Sequence, residues 1–374
     1  MRAARSVRGR RFAPVESYFA ERGWPVLDFQ RRAWSAWADG RSGLIHAPTG
    51  SGKTLAAWGG AVSDLLENGA KGLNFLWLTP LRALAGDTAR ALDRPLAYNG
   101  LLDAVALRTG DTPSHRKKRL MERPPPCLVT TPESLAVMLS YADASQRMAR
   151  LRGVFVDEWH ALVSSKRGVL FRLCLAGLGV LNPGLRVWGI SATLGNIDEA
   201  GRALLGPGTA GVTIDGRIDR PIELHSLLPE SVQRFPWAGR VGVHQLRAVI
   251  ERIESAETTL VFTNTRSQAE IWFNAIQSVC SWPDRVGLHH GSIERELRET
   301  AERGLADGRL KCVVATASLD LGVDFPTVEQ VVQIGSPKGI ARLIQRAGRA
   351  GHRPEGVARI VCVPTHALEV AERT

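Results

Sequence analysis

The chain has 374 residues, of which 44% are hydrophobic and 23% are charged, a balance typical of soluble globular proteins. The 48 Lys and Arg residues exceed the 37 Asp and Glu residues, so the formal net charge is +11; this favours a polyanionic partner, although a generally Arg-rich composition would give the same excess. No apolar run reaches the ~20 residues of a membrane span, and the five cysteines contain no CxxC pair of the kind that predicts a zinc or iron–sulfur site.

The first half of the chain alternates short apolar runs with helical patterns. Residues 1–13 are basic and lack the apolar segment of a secretory signal, so a disordered basic arm is predicted there. The later apolar runs are continuous, which is typical of strands buried on both faces of a parallel sheet. The predicted strands are Gly43–His46, Asn74–Leu78, Cys127–Thr130, Gly153–Val156 and Arg186–Ile190, and the predicted helices include Thr54–Glu67 and Ser134–Leu139.

The second half repeats this alternation, which predicts a doubly wound α/β sheet in each half. A Gly-rich stretch at 206–224, GPGTAGVTIDGRIDRPIEL, separates the halves. We predict a first domain at 14–212, a linker at 213–240 and a second domain at 241–374. The predicted strands are Thr259–Phe262, Arg285–His289, Lys311–Ala315, Val328–Ile334 and Arg359–Val363, and the predicted helices are Ser267–Ser278 and Ile293–Arg303.

The segment APTGSGKT at 47–54 follows a predicted strand and opens a predicted helix. This is the context of a P-loop, in which backbone N–H groups and the positive end of a helix surround phosphates. Lys53 is predicted to reach the β- and γ-phosphates of a nucleotide, and Thr54 to bind Mg²⁺. Strand, loop and helix together disfavour a chance match. The remaining predicted nucleotide contacts of the loop are Thr49, Gly50, Ser51 and Gly52.

Two adjacent carboxylates, Asp157 and Glu158, follow the apolar run GVFV. At the end of a buried strand such a pair is costly unless it is paired or bound to a metal. Beside a P-loop, Asp157 is predicted to hold Mg²⁺ through water, and Glu158 to polarise the attacking water. His160, in the string DEWH, is predicted to couple the ATP site to Ser191 and Thr193.

The strings APTGSGKT, DEWH and SAT (191–193) resemble, in this order, a superfamily 2 DExH-box helicase. Longer phrases such as DEWHALVSSKRG and TTLVFTNTRSQAEIWF are similar to the Lhr-type helicases, and among them to the bacterial ligase-associated DNA helicases. The other matching strings are TPLRALA (79–85), TGD (109–111), TPESL (131–135), VFTNTR (261–266), HHGS (289–292), ATASLDLGVD (315–324) and QRAGRAGHR (345–353).

The resemblance implies two tandem RecA-like domains, each a doubly wound parallel sheet, with the ATP site in the cleft between them and with ATP and Mg²⁺ as cofactors. Gln30 matches the residue that reads adenine, although a surface Gln at a helix start is an equal alternative. Arg349 is implied as an arginine finger that stabilises the transferred phosphoryl group. The other implied contacts of the second domain are Gly322 and Asp324 with ribose and phosphates, and Gln345 (as a catalytic residue) and Arg346 in the cleft.

A nucleic-acid track is also implied, formed by polar residues at strand ends that donate hydrogen bonds to phosphates without reading sequence. Singly, each of these residues is better explained as a cap or a turn residue; the ordered set, shared between the two domains, favours the track. Its predicted members are Thr79, Arg82, Thr109, Gly110, Thr131 and Glu133 in the first domain, and Thr263, Asn264, Arg266, His290, Gly291, Thr316 and Ser318 in the second.

The activity implied by the resemblance is ATP-driven 3′ to 5′ translocation on single-stranded or tailed duplex DNA, with strand displacement, in DNA repair. A functional link to an ATP-dependent DNA ligase and a cytoplasmic, nucleoid-associated place in a bacterium are implied in the same way. The alternatives are a helicase acting on RNA or on RNA–DNA hybrids, and a nucleic-acid clamp that recruits repair enzymes. Because Lhr-type proteins continue into a winged helix and a further domain, we expect this chain to carry the motor portion alone.

Overall fold

The computed structural model describes residues 11–48, 50–80, 82–163, 165–192, 196–206, 208–217, 221–228, 242–320, 328–337, 339–350, 357–366 and 369, without the side chains of 82–84, 295 and 341. The chain forms two compact units, Met1–Ile218 and Asp219–Thr374, here called lobe 1 and lobe 2. None of the helices described in either lobe has the length and apolar character of a membrane span.

Lobe 1 is a seven-stranded parallel sheet in the order β3-β4-β2-β5-β6-β1-β7. Its strands are β1 Gly43–His46, β2 Phe75–Leu78, β3 Val105–Arg108, β4 Cys127–Thr130, β5 Gly153–Val156, β6 Arg186–Ser191 and β7 Val212–Asp215. Its helices are α1 Ala13–Glu21, α2 Asp28–Ala38, α3 Lys53–Asn68, α4 Arg82–Tyr98, α5 Ser114–Glu122, α6 Pro132–Leu139, α7 Ala144–Met148, α8 Trp159–Val163, α9 Lys166–Leu181 and α10 Ile197–Leu205.

The five strands predicted for this lobe all form, within one residue of the predicted bounds. The sequence analysis missed β3 and β7, which are the two edge strands of the sheet. Both are only partly buried, so neither carries the continuous apolar run by which a strand covered on both faces is recognised.

Large aromatic side chains fill the core between the sheet and the helices that precede and follow the P-loop. The ring of Phe155, on β5, stacks 5.2 Å from both Trp37 and Trp77. Phe12 lies in the stretch predicted as a disordered arm, yet it is buried with its ring 5.8 Å from Trp34. The folded part of lobe 1 therefore begins before the predicted boundary at residue 14.

A buried ion cluster ties the P-loop helix α3 to two central strands. Asp64, near the end of α3, is 4% exposed and lies 2.6 Å from the Arg152 guanidinium and 2.7 Å from that of Arg186. These arginines precede β5 and begin β6 respectively, and Arg186 also lies over the Trp37 ring. Because β5 and β6 end at the carboxylate and Ser191 motifs, the cluster fixes the P-loop helix relative to those motifs.

Lobe 2 is a six-stranded parallel sheet in the order β10-β11-β9-β12-β13-β8. Its strands are β8 Ile222–Ser226, β9 Thr259–Phe262, β10 Val286–His289, β11 Cys312–Ala315, β12 Gln330–Ile334 and β13 Ala358–Val363. Its helices are α11 Leu246–Glu254, α12 Arg266–Val279, α13 Arg295–Ala306 and α14 Ile340–Ala347, with short 3₁₀ turns at Val243–Gln245, Pro283–Arg285 and Ala317–Leu319.

In the stretch 213–240, predicted as a linker, the described residues include strands of both sheets. It holds most of β7, the edge strand of the first sheet, and all of β8, the edge strand of the second. Every residue of β8 is exposed. Its backbone pairing with β13, rather than burial of its side chains, makes it a strand, which explains why hydrophobic patterning did not reveal it.

Candidate active site and nucleic-acid interface

The P-loop between β1 and α3 has the backbone shape of an anion site. Gly50 and Gly52 both have φ of +79°, a conformation that glycine adopts without strain. Gly52 is the N-cap of α3 and has no side chain that could accept from the first turn, so the backbone N–H groups there are not capped by the N-cap residue. A side chain at 52 would also collide with Gln30, whose Nε2 lies 2.6 Å from the position of an added Cβ.

The predicted catalytic side chains of lobe 1 form one connected, buried network. Lys53 Nζ lies 3.2 Å from Glu158 Oε1, and both side chains are less than 10% exposed. The Nδ1 atom of His160 lies 3.4 Å from Glu158 Oε2 and 3.0 Å from Ser191 Oγ. Ser191 in turn accepts a hydrogen bond at its backbone oxygen from the N–H of Ala47, at the start of the P-loop. The structure thus brings Lys53 and Glu158 of the predicted ATP site together with His160 and Ser191 of the predicted coupling set.

Glu158 holds a strained backbone. Its φ is +47°, a region that costs a residue with a side chain about 1–3 kcal/mol and is found most often at functional sites. Its N–H donates to the Asp157 carboxylate at 2.9 Å, while the Asp157 N–H donates to the backbone oxygen of Leu78. The turn aims Glu158 at Lys53.

The chemistry of these groups fits a magnesium ion. Burial, and then the neighbouring charge of Glu158, raise the pKa of Asp157 to about 7; a bound cation removes that penalty by favouring the carboxylate form. Thr54, one residue into α3, supplies a hydroxyl. Carboxylate and hydroxyl oxygens are the hard ligands that Mg²⁺ prefers. Burial also lowers the pKa of His160, which keeps its ring neutral near pH 7.

Gln30 is buried against the P-loop rather than on the surface. Its Oε1 accepts from the N–H of Leu27 at 2.9 Å, and its Nε2 donates to the backbone oxygen of Gly52 at 3.2 Å. The surface-helix alternative for this residue is therefore wrong. Contact with adenine stays a prediction, and the structure adds a role in holding Gly52.

In lobe 2, the three predicted cleft residues that can be described converge on Asp320. The Arg346 guanidinium donates to both Asp320 carboxylate oxygens at 2.7 and 3.1 Å, while Gln345 and Arg349 donate to its backbone oxygen at 3.1 and 2.9 Å. Arg346 is fully buried and also donates to Gln333. The implied nucleotide contact of Arg346 has no exposed side-chain surface here, so this residue is placed to organise Asp320.

The predicted track residues of lobe 1 follow three neighbouring strands, β3, β4 and β2, and so lie together at the carboxyl ends of these strands. Lateral hydrogen bonds join the strand ends: the Thr79 N–H donates to Thr130 O at 3.0 Å, and Thr130 Oγ1 donates to Arg108 O at 2.7 Å. The Thr131 side chain caps α6, which is the role given above as the alternative to a phosphate contact. Thr79, Thr109 and Thr131 have buried side chains.

Arg167 is a residue of this region that the sequence analysis did not single out. It pairs with the Glu133 carboxylate, with one contact at 3.0 Å, and donates to the backbone oxygen of Pro80. The hydrogen bond from Arg167 holds the pKa of Glu133 at about 2. Arg167 thereby joins the loop after β2 to the first turn of α6, a tertiary contact that no local sequence pattern predicts.

The predicted track residues of lobe 2 follow β10, β11 and β9, again three neighbouring strands. Ser318 Oγ lies 2.8 Å from His289 Nδ1, and His289 Nε2 lies 2.8 Å from Glu302 Oε1, so two residues outside the prediction hold Ser318. Thr316 lies 3.4 Å from Ser318. The remaining predicted members differ in exposure: Thr263 and His290 are buried, Asn264 is half-buried and donates to Ser336 O at 2.7 Å, and Arg266 and Gly291 are exposed.

Four predicted site residues lie outside the described residues: Thr49, Thr193, Gly322 and Asp324. The side chain of Arg82, the first residue of α4, lies outside them as well.

Comparison with known proteins agrees with this fold. Residues 27–200 match the DEAD/DEAH box helicase family, and residues 243–353 match the helicase conserved C-terminal domain. The chain therefore belongs to the DEAD/DEAH-box helicases. Within that class it is similar to the Lhr-type helicases: the ATP-dependent helicase Lhr-Core protein 2 of Thermococcus barophilus is 35% identical to it over 369 residues, covering 92% of this chain and 42% of that protein.

A further relative and a solved structure show the same similarity to Lhr-type helicases. The ATP-dependent helicase Lhr-Core of Methanocaldococcus jannaschii is 34% identical over 366 residues, covering 94% of this chain and 43% of that protein. The structure of Mycobacterium smegmatis helicase Lhr bound to ssDNA and AMP-PNP superposes with a TM-score of 0.81 at 32% identity, covering 96% of this chain and 48% of that one. The chain thus spans less than half the length of these relatives.

Proposed function

We propose that this chain is the motor of an ATP-dependent DNA helicase: it hydrolyses ATP when single-stranded DNA is bound and uses the cycle to translocate 3′ to 5′. The observation that carries the proposal is the connected network of Lys53, Glu158, His160 and Ser191 beside a P-loop helix whose N-cap is a glycine. The M. smegmatis relative, bound to ssDNA and AMP-PNP, supports both ligands. DNA repair, a functional link to a ligase and nucleoid association are proposed from the resemblance.

The Lys53–Glu158 ion pair suggests how ATP binding prepares the site for hydrolysis. Lys53 exchanges the carboxylate for the β- and γ-phosphates when ATP binds, because the phosphates carry more negative charge than Glu158. Glu158, released from Lys53, orients the attacking water and accepts its proton. Mg²⁺, held through Thr54 and Asp157, supplies charge neutralisation at the phosphates when bound.

The neighbouring contacts suggest how hydrolysis is coupled to movement. His160 contacts both Glu158 and Ser191, so loss of the γ-phosphate changes the charge beside a side chain that also touches β6. Arg349, oriented by Asp320, is proposed to stabilise the transferred phosphoryl group. Polar strand ends in each lobe are proposed to hold the phosphates of the same DNA strand.

The proposal is tested by ATP hydrolysis with and without single-stranded DNA. Lys53→Ala and Glu158→Gln are each expected to abolish the DNA-stimulated rate, with a loss of at least about 10²-fold for removal of a general base. The matched control is Lys71→Ala, which removes an exposed lysine that precedes β2, at the amino end of that strand. Full turnover in either site variant would overturn the assignment.

A second arm compares single-stranded DNA with RNA of the same sequence. The comparison is needed because contacts with phosphates discriminate the two sugars poorly. Stimulation by RNA alone would replace the DNA assignment with the RNA helicase alternative. Stimulation by neither polymer, together with tight binding of both, would favour the non-enzymatic clamp.

Arg349→Ala tests the finger separately. Hydrolysis is expected to fall by about 10³-fold or more, while binding of a fluorescent ATP analogue stays within a few-fold of the unsubstituted chain. Unchanged turnover would remove Arg349 from the mechanism without touching the roles of Lys53 and Glu158.

A further inference from the structure

Helix α5, Ser114–Glu122, is a strongly basic element directly beyond the TGD loop of lobe 1. The segment 111–123 contains the cations Arg116, Lys117, Lys118, Arg119 and Arg123 against two acids, Asp111 and Glu122. The helix has no buried residue. Leu120 and Met121 are half-buried and pack on the core, so Arg116, Lys118 and Arg119 are left on the exposed side.

The charges in the first turn of α5 are arranged against the stability of the helix, whereas Arg119 in its last turn is not. Its first turn has no acidic residue and contains a histidine and two cations, although the positive end of a helix favours acids there. Arg116 and Arg119 are three residues apart, a spacing at which like charges repel across one turn. A solvated face chosen for stability would have the opposite pattern, whereas a polyanion on this face relieves both repulsions.

The described carboxylates neutralise little of this charge. Among the described residues, Arg116 and Arg119 take part in no ion pair, and Lys118 reaches Glu122 only at 4.0 Å. Lys117 is used differently: its Nζ donates to the backbone oxygen of Gly110 at 2.8 Å. That bond fastens the helix to the TGD loop, which lies at the strand ends of the proposed DNA track.

We propose that Arg116, Lys118 and Arg119, here called the α5 basic surface, form a further phosphate-binding site that extends the track of lobe 1 along single-stranded DNA. This inference rests on the proposed function. The contacts are electrostatic and independent of sequence, because long flexible cations that contact phosphates position a strand but do not read bases.

The test is the salt dependence of binding to a fluorescently labelled oligo-dT strand. In the α5 triple variant, Arg116, Lys118 and Arg119 are replaced by Ala, which keeps the helix because Ala has the highest helix propensity; Lys117 is retained to preserve the TGD loop. Loss of three phosphate contacts is expected to reduce the slope of log K against log salt by about 2, at about 0.7 per contact on a single strand. The affinity deficit of the variant should then shrink roughly 20-fold between about 50 and 200 mM salt.

The matched control replaces Arg41, Lys71 and Arg150 by Ala. These exposed cations precede β1, β2 and β5, so they lie at the amino ends of the strands of the same sheet. Their replacement removes the same net charge as the α5 triple variant. The control is expected to keep the native slope. An equal slope change in both triples would assign the effect to the general field of the protein and overturn the inference, as would a native slope in an α5 triple variant with unchanged thermal midpoint.

Two other outcomes are distinct. A slope change on blunt duplex DNA but none on oligo-dT would overturn the single-strand assignment. Absence of oligo-dT binding by the unsubstituted chain would overturn the proposed function and this inference together, whereas native binding with an unaffected α5 triple overturns the α5 basic surface alone.

Discussion

Asp320→Ala removes the counter-ion of a fully buried arginine, and we expect it to destabilise lobe 2 by about 3–5 kcal/mol, the range for breaking one side of a buried ion pair. Asp320 is nearly buried and Arg346 completely so, and two hydrogen bonds of 2.7 and 3.1 Å join them. In the variant, the contacts that the guanidinium keeps among the described residues are Gln333 and the face of the Phe262 ring, 4.5 Å away.

Amide hydrogen exchange of β9 and β12 is the suitable assay, because it reports on lobe 2 separately from lobe 1. A loss of about 3–5 kcal/mol accelerates exchange through global opening by roughly 10²- to 10⁴-fold. Asp307→Ala is the matched control: Asp307 pairs with Arg309 at 3.0 Å, but both are exposed, so its effect should stay below about 1 kcal/mol.

The double variant Asp320→Leu with Arg346→Met separates stability from chemistry. Replacing both charges with apolar groups should recover most of the loss, apart from about 1–3 kcal/mol for the Gln333 oxygen that loses its donor. Because the backbone oxygen at 320 still holds Arg349, the double variant should also hydrolyse ATP at close to the rate of the unsubstituted chain. Restored stability without hydrolysis would refute the positioning role of Arg346 and return it to the nucleotide site; exchange in Asp320→Ala no faster than in the control would refute the buried-charge reasoning.

Three further outcomes are expected. Asp64→Ala should lower the thermal midpoint of lobe 1 by roughly 6–20 °C, which corresponds to about 3–5 kcal/mol in a domain of this size, whereas Asp215→Ala, at an exposed pair, should shift it by less than about 4 °C; equal shifts would contradict the role assigned to burial. Gly52→Ala should impair ATP-analogue binding in a titration, because the residue has φ of +79° and an added Cβ meets Gln30 at 2.6 Å; native affinity would show that the loop tolerates a side chain. Glu133 has a pKa lowered to about 2 from 4.5, so its contribution to stability is present above pH 4.5 and is lost as pH falls towards 2; the difference in midpoint between Glu133→Gln and the unsubstituted chain should shrink over that window, and a constant difference would mean that the pair with Arg167 does not stabilise the lobe.

The sequence alone was sufficient for the central strands and for the order of the motifs. Strands such as β1, β4, β5 and β9 are short apolar runs buried on both faces, so their local composition and their tertiary environment agree. The P-loop likewise depends on local backbone geometry at Gly50 and Gly52, which is why its place at a helix start could be read from eight consecutive residues.

Only the tertiary structure decided which polar partners those motifs have. Arg346 looked like a nucleotide contact because its neighbours in the chain match a helicase motif, yet it is buried and pairs with Asp320, 26 residues away. Gln30 meets Gly52 across 22 residues, and Arg167 meets Glu133 across 34. A local pattern records the period of an element and the residues that chemistry needs; the partner of a buried charge depends on which strand ends the sheet order makes neighbours, and that order is a property of the folded chain.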